Sequence, residues 1–392
     1  MNNNATSYRK LPGVRFVLSV IPIVFSSLVS ANDWMTEYSL SGIDSVHIYL
    51  PETPPVIDDK RALMINLHGC SMSNTDMKEN AGWEPIADEL GMVVALPDVP
   101  GDGVYSACWD YYGLDHSRNN KFNGNLINLA LELIGRKNLN IDSNQVYISG
   151  FSSGGTQAGV VGCLAPDIFS GVGTHSAPGL GTSSNEFKRM PSSYSVFDMA
   201  GFCDSLAGDN ADKLSTQIYS TIHGAMDKTV DVKYNDTGSQ IMSIVYGASN
   251  QRDVRSIPVD GEELIFSDAY GARISKILVG GVSHDWMSSG GNTGYFVNDK
   301  VDYPDYLTRW LFSNNRRVTD RYDPNESWVC NEFTSTNSEH YNSSPRRVTY
   351  ERSGRNINYY AIGSDEILPG DGDSVNTLAE ISFGYFVVGV CP

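Results

Sequence analysis

Between about residues 45 and 280, short apolar runs alternate with stretches in which apolar residues recur every three or four positions. Val46 to Leu50 and Ala62 to Leu67 are runs of the kind that strands buried on both faces require, and the second ends in His68-Gly69. From Trp83 to Leu90 the period changes: Trp83, Ile86, Ala87 and Leu90 fall on one helical face, and Gly91 is expected to stop that helix before a strand over Met92 to Leu96. Gly124 to Lys137 repeats the helical period through Leu126, Leu129, Leu133 and Ile134, after which Asp142-Ser143 reads as a turn into a strand over Gln145 to Ser149. A glycine-rich turn, a helix from about Thr156 and a strand over Phe169 to His175 follow, and Gln217 to His223 and Ile274 to Val279 continue the alternation. Strand alternating with helix predicts an α/β fold with a mostly parallel, doubly wound sheet.

The pattern changes after Trp310. Asn314-Asn315-Arg316-Arg317 and Asp323-Pro324-Asn325 read as a polar linker, and the remainder is rich in Ser, Tyr and Asn with alternating strands such as Ile357 to Ala361 and Tyr385 to Val390. A small β-rich module over residues 326–392 is expected, bracketed by Cys330 and Cys391; a disulfide there would stabilise it by about 4 kcal/mol in the chain-entropy model. At the other end, Arg9, Lys10 and Arg15 precede an apolar run from Phe16 to Val29, and Val29-Ser30-Ala31 offers small residues at a cleavage site. Residues 1–31 thus read as a secretory signal and 32–318 as the main domain. The run is too short and too serine-rich for a membrane span of about 20 residues. A secreted protein is expected, extracellular or retained in the periplasm, and a monomer.

Composition narrows the partners. The chain has 392 residues, 41% of them apolar, and a formal charge of -18, so it is globular and repels a polyanion. Nucleic acid is not an expected partner. Export makes disulfides the natural reading of the six cysteines. Sequence alone does not fix their pairing; the pairs expected are Cys70–Cys108, Cys163–Cys203 and Cys330–Cys391. None is spaced as C-x-x-C, so zinc is not expected, and the acidic turn Asp371-Gly372-Asp373 reads as solvated rather than as a calcium site.

Candidate chemistry centres on Gly150-Phe151-Ser152-Ser153-Gly154, set between a β-rich segment and a helix. A G-x-S-x-G turn in that context reverses so sharply that the serine hydroxyl is pushed out at the carboxyl edge of the sheet, with amide N–H groups of the following helix aimed where an oxyanion would form. Ser152 is the expected nucleophile and the Ser153 amide an oxyanion donor. A hydroxyl needs a base, and the base an orienting acid, in the chain order serine, acid, histidine. Of seven histidines, His284 on the loop after Ile274 to Val279 is the expected base, and Asp227, after Gln217 to His223, the expected acid. Asp231 and Asp285 compete for the acid's place. The blander readings are a turn aspartate and a surface-loop histidine. Cys70, after Leu67-His68-Gly69, supplies the second expected oxyanion donor through its amide. His68, His175 and His223 read as structural hydrogen-bonding residues. The scheme needs no metal and no cofactor.

Leu67-His68-Gly69-Cys70, Cys108-Trp109-Asp110, the Gly150 to Gly155 turn, His223-Gly224-Ala225-Met226-Asp227 and Ser283-His284-Asp285-Trp286 together resemble the extracellular poly(3-hydroxybutyrate) depolymerase family of α/β-hydrolases, which also contains feruloyl and acetyl xylan esterases. The resemblance implies an α/β-hydrolase fold, Ser152, Asp227 and His284 as a triad, Cys70 at the oxyanion hole, and Trp109 and Trp286 against the substrate. It also implies hydrolysis of a hydroxyalkanoate polyester or its oligomers, with feruloyl or acetyl ester cleavage on polysaccharide as the alternative. The tail does not resemble the usual polyester-binding domain of that family. A polymer-binding protein that keeps the fold without turnover is the reading from another class.

Overall fold

Two faces of one sheet take up most of the apolar side chains. The computed structural model describes residues 33–251, 254–257, 259–319, 321, 330–343, 346–353, 356–362, 364, 366–382 and 385–391. The expected signal segment 1–31 and the Asp323-Pro324-Asn325 linker lie outside the described residues.

Strands β1 (Asp33–Leu40), β2 (Ile43–Leu50), β3 (Arg61–Leu67), β4 (Val93–Pro97), β5 (Ile141–Phe151), β6 (Gly171–His175) and β7 (Ile218–Gly224) are followed by β8 (Asn250–Gln251), β9 (Arg255–Ile257), β10 (Gly261–Asp268) and β11 (Gly271–Val279). They form an eleven-stranded sheet in the order β1-β2-β4-β3-β5-β6-β7-β11-β10-β8, with β9 also on β10. The central strands β4, β3, β5, β6, β7 and β11 are parallel. Antiparallel β1–β2 and β10 flank them.

The period of two along each strand divides the core. Leu63, Ile65 and Leu67 point to one face, where they meet Leu126, Leu129, Val160, Val161 and Ile241 of helices α3 (Asn123–Gly135), α4 (Ser153–Leu164) and α6 (Lys233–Tyr246). Ala62 and Met64 point to the other, among Trp83, Ile86 and Leu90 of α2 (Trp83–Leu90) and Leu307 and Leu311 of α7 (Tyr303–Asn314). Helices α1 (Asn74–Asn80) and α5 (Val196–Ala207) complete the two layers. The sheet is doubly wound, as its pattern predicts.

Boundaries differ where tertiary contacts override local signals. Asp142-Ser143 is not a turn: β5 runs from Ile141, because Arg61 N–H bonds Asn140 O at 2.8 Å and β3 pairs there across a register shift. Helix α4 begins at Ser153 rather than near Thr156, and Gly91 ends α2 in the left-handed region at φ 67°.

Beyond the large sheet, β12 (Trp286–Met287) and β13 (Phe296–Val297) pair briefly. The C-terminal part contains β14 (Asn331–Thr336), α8 (Asn337–Asn342), β15 (Val348–Ser353), β16 (Asn356–Ala361), β17 (Ile367–Leu368), β18 (Val375–Ser382) and β19 (Tyr385–Val388), arranged as sheets β14-β18-β19 and β15-β16-β17. Val348, Tyr359, Leu368, Leu378 and Phe386 form a small core of their own. All three disulfides pair as expected: Cys70–Cys108, Cys163–Cys203 and Cys330–Cys391.

Candidate active site

Strand β5 ends at Phe151 and α4 starts at Ser153, so the whole reversal falls on Ser152, whose backbone is held at φ 53° and ψ -118°. A non-glycine residue there is strained and needs support on both sides. The Ser152 amide donates to His175 O at 2.8 Å, and its carbonyl accepts from Thr156 N at 3.1 Å. Glycines leave the necessary room. A Cβ on Gly150 would lie 2.5 Å from the Gly154 carbonyl carbon, and one on Gly154 would lie 2.3 Å from His68 O. The end of β3 and the loop after it therefore press on the start of α4 through the Leu67 and His68 carbonyls and Leu67 Cβ. A Cβ on Gly69 would come within 3.3 Å of Ser152 Cβ, which places Gly69 against the Ser152 side chain.

Two further loops meet at the same edge. After β7 the chain turns tightly, with Asp227 N donating to Gly224 O at 3.1 Å, and the loop after β11 crosses it, where Met226 N donates to Val282 O at 2.8 Å. Any side chain on Gly224 would collide with Ser283 O. This crossing delivers His284 to Ser152: the Ser152 hydroxyl lies 3.0 Å from His284 Nε2, and His284 Nδ1 lies 2.7 Å from Asp227 Oδ2. Asp227 Oδ1 accepts the amides of Thr229 at 2.8 Å and Val230 at 2.9 Å. A second imidazole, His223 Nε2, donates to the same Oδ2 at 3.0 Å. Burial pushes the Asp227 carboxyl up, but the His223 and His284 hydrogen bonds and the Val230 amide outweigh it and hold the group well below the usual carboxylate range.

A carboxylate that takes Nδ1–H of an imidazole leaves the Nε2 lone pair facing the serine hydroxyl. That arrangement can remove the serine proton as the oxygen attacks a carbonyl. The competing acids lie elsewhere. Asp231 accepts from Met190 N at 3.0 Å and from Lys233 N at 3.2 Å. Asp285 follows His284 but does not bond its ring; burial raises its carboxyl, with Asp227 adding to the rise. At the proposed oxyanion position, Ser153 stands first in α4, where an N–H has no intrahelical partner, and Cys70 is tied to Cys108.

Both tryptophans depart from expectation. Trp109 is fully buried, and its indole N–H donates to His68 O at 3.1 Å, so it supports the loop of Cys70 from behind. Trp286 is also fully buried, donates to Ala81 O at 3.1 Å and stacks on His175 with ring centroids 4.8 Å apart. An indole needs a partner for its N–H when buried, and backbone carbonyls provide one in each case. Neither ring is placed to touch a substrate.

The structural reading of three histidines acquires specific content. His68 spans the loop after β3, with Nδ1 2.8 Å from Gly69 O and Nε2 3.1 Å from Val99 N. His175 Nε2 accepts from Met287 N at 3.1 Å and so pins the strand that follows His284. Burial keeps His175 well below the ordinary imidazole range, with His223 and His284 adding to the effect. The contact of His223 with Asp227 has only one local signal in the sequence, a histidine at a strand end four residues before the acid.

Residues 44–192 match the family described as Esterase PHB depolymerase. A poly(3-hydroxybutyrate) depolymerase of Ralstonia pickettii is 33% identical over 300 residues, which is 74% of this chain and 62% of that protein. The chain thus spans less than two thirds of that relative. Feruloyl esterase B of Thermothelomyces thermophilus is 22% identical over 289 residues, covering 69% of this chain and 94% of the relative. Among solved structures, acetyl xylan esterase from Aspergillus awamori shares the fold with a TM-score of 0.51 at 17% identity, covering 64% of this chain and 93% of that one.

Proposed function

We propose that the chain is an exported serine carboxylesterase acting on a hydroxyalkanoate polyester or its oligomers, a reading supported by the match of residues 44–192 to the family described as Esterase PHB depolymerase and by the likeness to a poly(3-hydroxybutyrate) depolymerase. The observation that carries the proposal is the unbroken line of hydrogen bonds from Ser152 through His284 to Asp227. In the reaction, Ser152 Oγ attacks the ester carbonyl carbon while His284 Nε2 takes the hydroxyl proton. The Cys70 and Ser153 amides hold the oxyanion. Collapse of the tetrahedral intermediate breaks the ester C–O bond, and His284 returns the proton to the departing alcohol. Water then repeats the attack on the acyl-enzyme, releasing the acid and restoring Ser152. Asp227 keeps the imidazole in the tautomer that both steps require.

Exposed apolar side chains support a water-insoluble chain as substrate. Tyr105 and Met226 are 73% and 55% exposed on the loops after β4 and β7, and Tyr295, 43% exposed between β12 and β13, is tied to the segment after His284 by Trp286 N donating to its carbonyl at 2.7 Å. Such a collar suits an apolar polymer surface. A second reading, cleavage of feruloyl or acetyl esters from polysaccharide, is favoured by length: this chain spans nearly all of the feruloyl esterase and acetyl xylan esterase relatives. Export is supported by the pairing of all six cysteines. Among the described residues no helix is long and apolar enough to cross a membrane.

Labelling by a fluorophosphonate, abolished in Ser152→Ala, tests the mechanism; an unlabelled wild-type protein refutes it. Clearing of a poly(3-hydroxybutyrate) suspension, measured beside ferulate and acetate release, tests the substrate. Brisk ferulate or acetate release without clearing would replace the polyester by polysaccharide esters.

A further inference from the structure

One oxygen of Asp227 receives two imidazoles, and only one of them faces Ser152. His223 is the last but one residue of β7, paired with Leu278 of β11, and is 1% exposed. Strand geometry therefore fixes its backbone, unlike that of His284, which rides on a loop. Its Nε2 lies 3.0 Å from Asp227 Oδ2, and the His284 Nδ1 contact of 2.7 Å falls on the same atom. With Thr229 N and Val230 N on Oδ1, the carboxylate has four donors, and His223 is the only one carried by the sheet itself.

We propose that His223 is a positioning residue for ester hydrolysis: it anchors Asp227 Oδ2 to the end of β7 and divides that oxygen between two N–H donors. The inference rests on the hydrolytic reading of Ser152, Asp227 and His284. Its physical content is a competition. A carboxylate oxygen that donates part of its charge to His223 holds the His284 Nδ1–H less strongly than one bonded to His284 alone. Take His223 away, and two things change together. Asp227 gains freedom to rotate about its side chain, so the His284 ring is less well aimed. The carboxylate also concentrates on Nδ1–H, which favours the protonated imidazolium. Hydrolysis needs His284 neutral, so the acid limb of the pH profile moves to higher pH.

The other ionisable groups around the pair do not substitute for His223. His175 at the end of β6 has its Nε2 occupied by Met287 N, and Tyr303 of α7 packs edge-on against that same ring at 5.4 Å. Asp285 beside His284 is an acid, not a donor, and Lys228 on the loop after β7 is exposed. Among the described residues the Asp227 carboxylate bonds only His223, His284 and the two amides.

The test compares His223→Leu, His223→Gln and His223→Asn in the full-length protein, with a soluble p-nitrophenyl ester as probe. A glutamine amide reaches the place of Nε2, whereas asparagine stops near Nδ1. The expected result is a kcat lowered about tenfold in His223→Leu with KM little changed, and an acid limb displaced to higher pH. His223→Gln should return kcat to within about threefold of wild type and restore the limb, while His223→Asn should not. An acid limb unmoved in His223→Leu, or a glutamine variant no better than leucine, overturns the proposal. Should the leucine variant fail to fold, the glutamine and asparagine pair decides alone, and equal kcat values refute it. Wild-type protein that neither turns over the ester nor takes the fluorophosphonate refutes the hydrolytic reading itself, whereas labelled wild type with indifferent variants refutes only the role of His223.

Discussion

At the scale of single residues, the site depends on what two atoms are prevented from being. Oδ1 of Asp227 accepts two backbone amides and Oδ2 two imidazoles, so the group must be an acceptor at all four positions. In Asp227→Asn the amides claim the carbonyl oxygen, and the new NH2 confronts two N–H donors. His284 then relieves the conflict by turning its proton to Nε2, the atom that must receive the proton of Ser152. Activity on a soluble ester should fall by about 10⁴-fold while circular dichroism stays unchanged; a loss under tenfold would refute this role of the carboxylate. Gly154 is the other constrained position. Gly154→Ala drives a Cβ into the His68 and Leu67 carbonyls, backbone atoms that cannot swing aside, and should cost about 1–3 kcal/mol in denaturant unfolding together with kcat. Gly159→Ala, further along α4, meets Leu180 Cδ2 at 3.4 Å and Thr174 Cγ2 at 4.0 Å, ordinary van der Waals contacts, and should be neutral or stabilising by up to about 1 kcal/mol.

At the scale of elements, local pattern is readable where an element has a wet side. Helix α2 keeps an exposed face, and its period located it to the residue, including the Gly91 stop. Helix α4 is buried almost throughout from Ser153 to Leu164 and has no polar face to set a period, so the sequence pattern places its start too late. Strands β10 and β1 give no clear apolar run in the sequence, because Glu262, Glu263 and Asp268 interrupt the first and Asp33 and Glu37 the second. The disulfides divide by what they join. Cys163–Cys203 ties α4 to α5, and replacing both cysteines by alanine should cost about 4 kcal/mol of stability with kcat retained. Cys70–Cys108 holds the loop beside Ser152, so the corresponding double variant should lose kcat as well. Parallel unfolding and rate measurements on the two double variants check the contrast.

At the scale of the whole molecule, one carboxylate joins the far end of the sheet to the last helix of its outer layer. Asp268, at the end of β10, accepts from Arg316 beyond α7 at 2.7 and 2.6 Å and from Arg273 of β11 at 2.9 Å. Arg316 foremost holds it well below its ordinary 3.8, against a smaller upward push from burial. A carboxyl depressed on folding stabilises the fold above its unfolded value and loses that contribution as pH falls through the folded value. Wild type should therefore exceed Asp268→Asn in thermal stability at neutral pH, and the gap should close on acidification below about pH 4; a gap independent of pH would exclude this linkage. What the amino-acid sequence by itself determined is the alternation of strand and helix, the Ser152 turn and the order of serine, acid and histidine along the chain, because burial periods and glycine turns are written within a few neighbouring residues. Only the tertiary structure decided which carboxylate meets His284, that His223 shares its oxygen, and that Trp109 and Trp286 face inward. Those contacts join loops 57 and 132 residues apart, and their ångström-scale distances follow from how β5, β7 and β11 pack side by side, which no local pattern records.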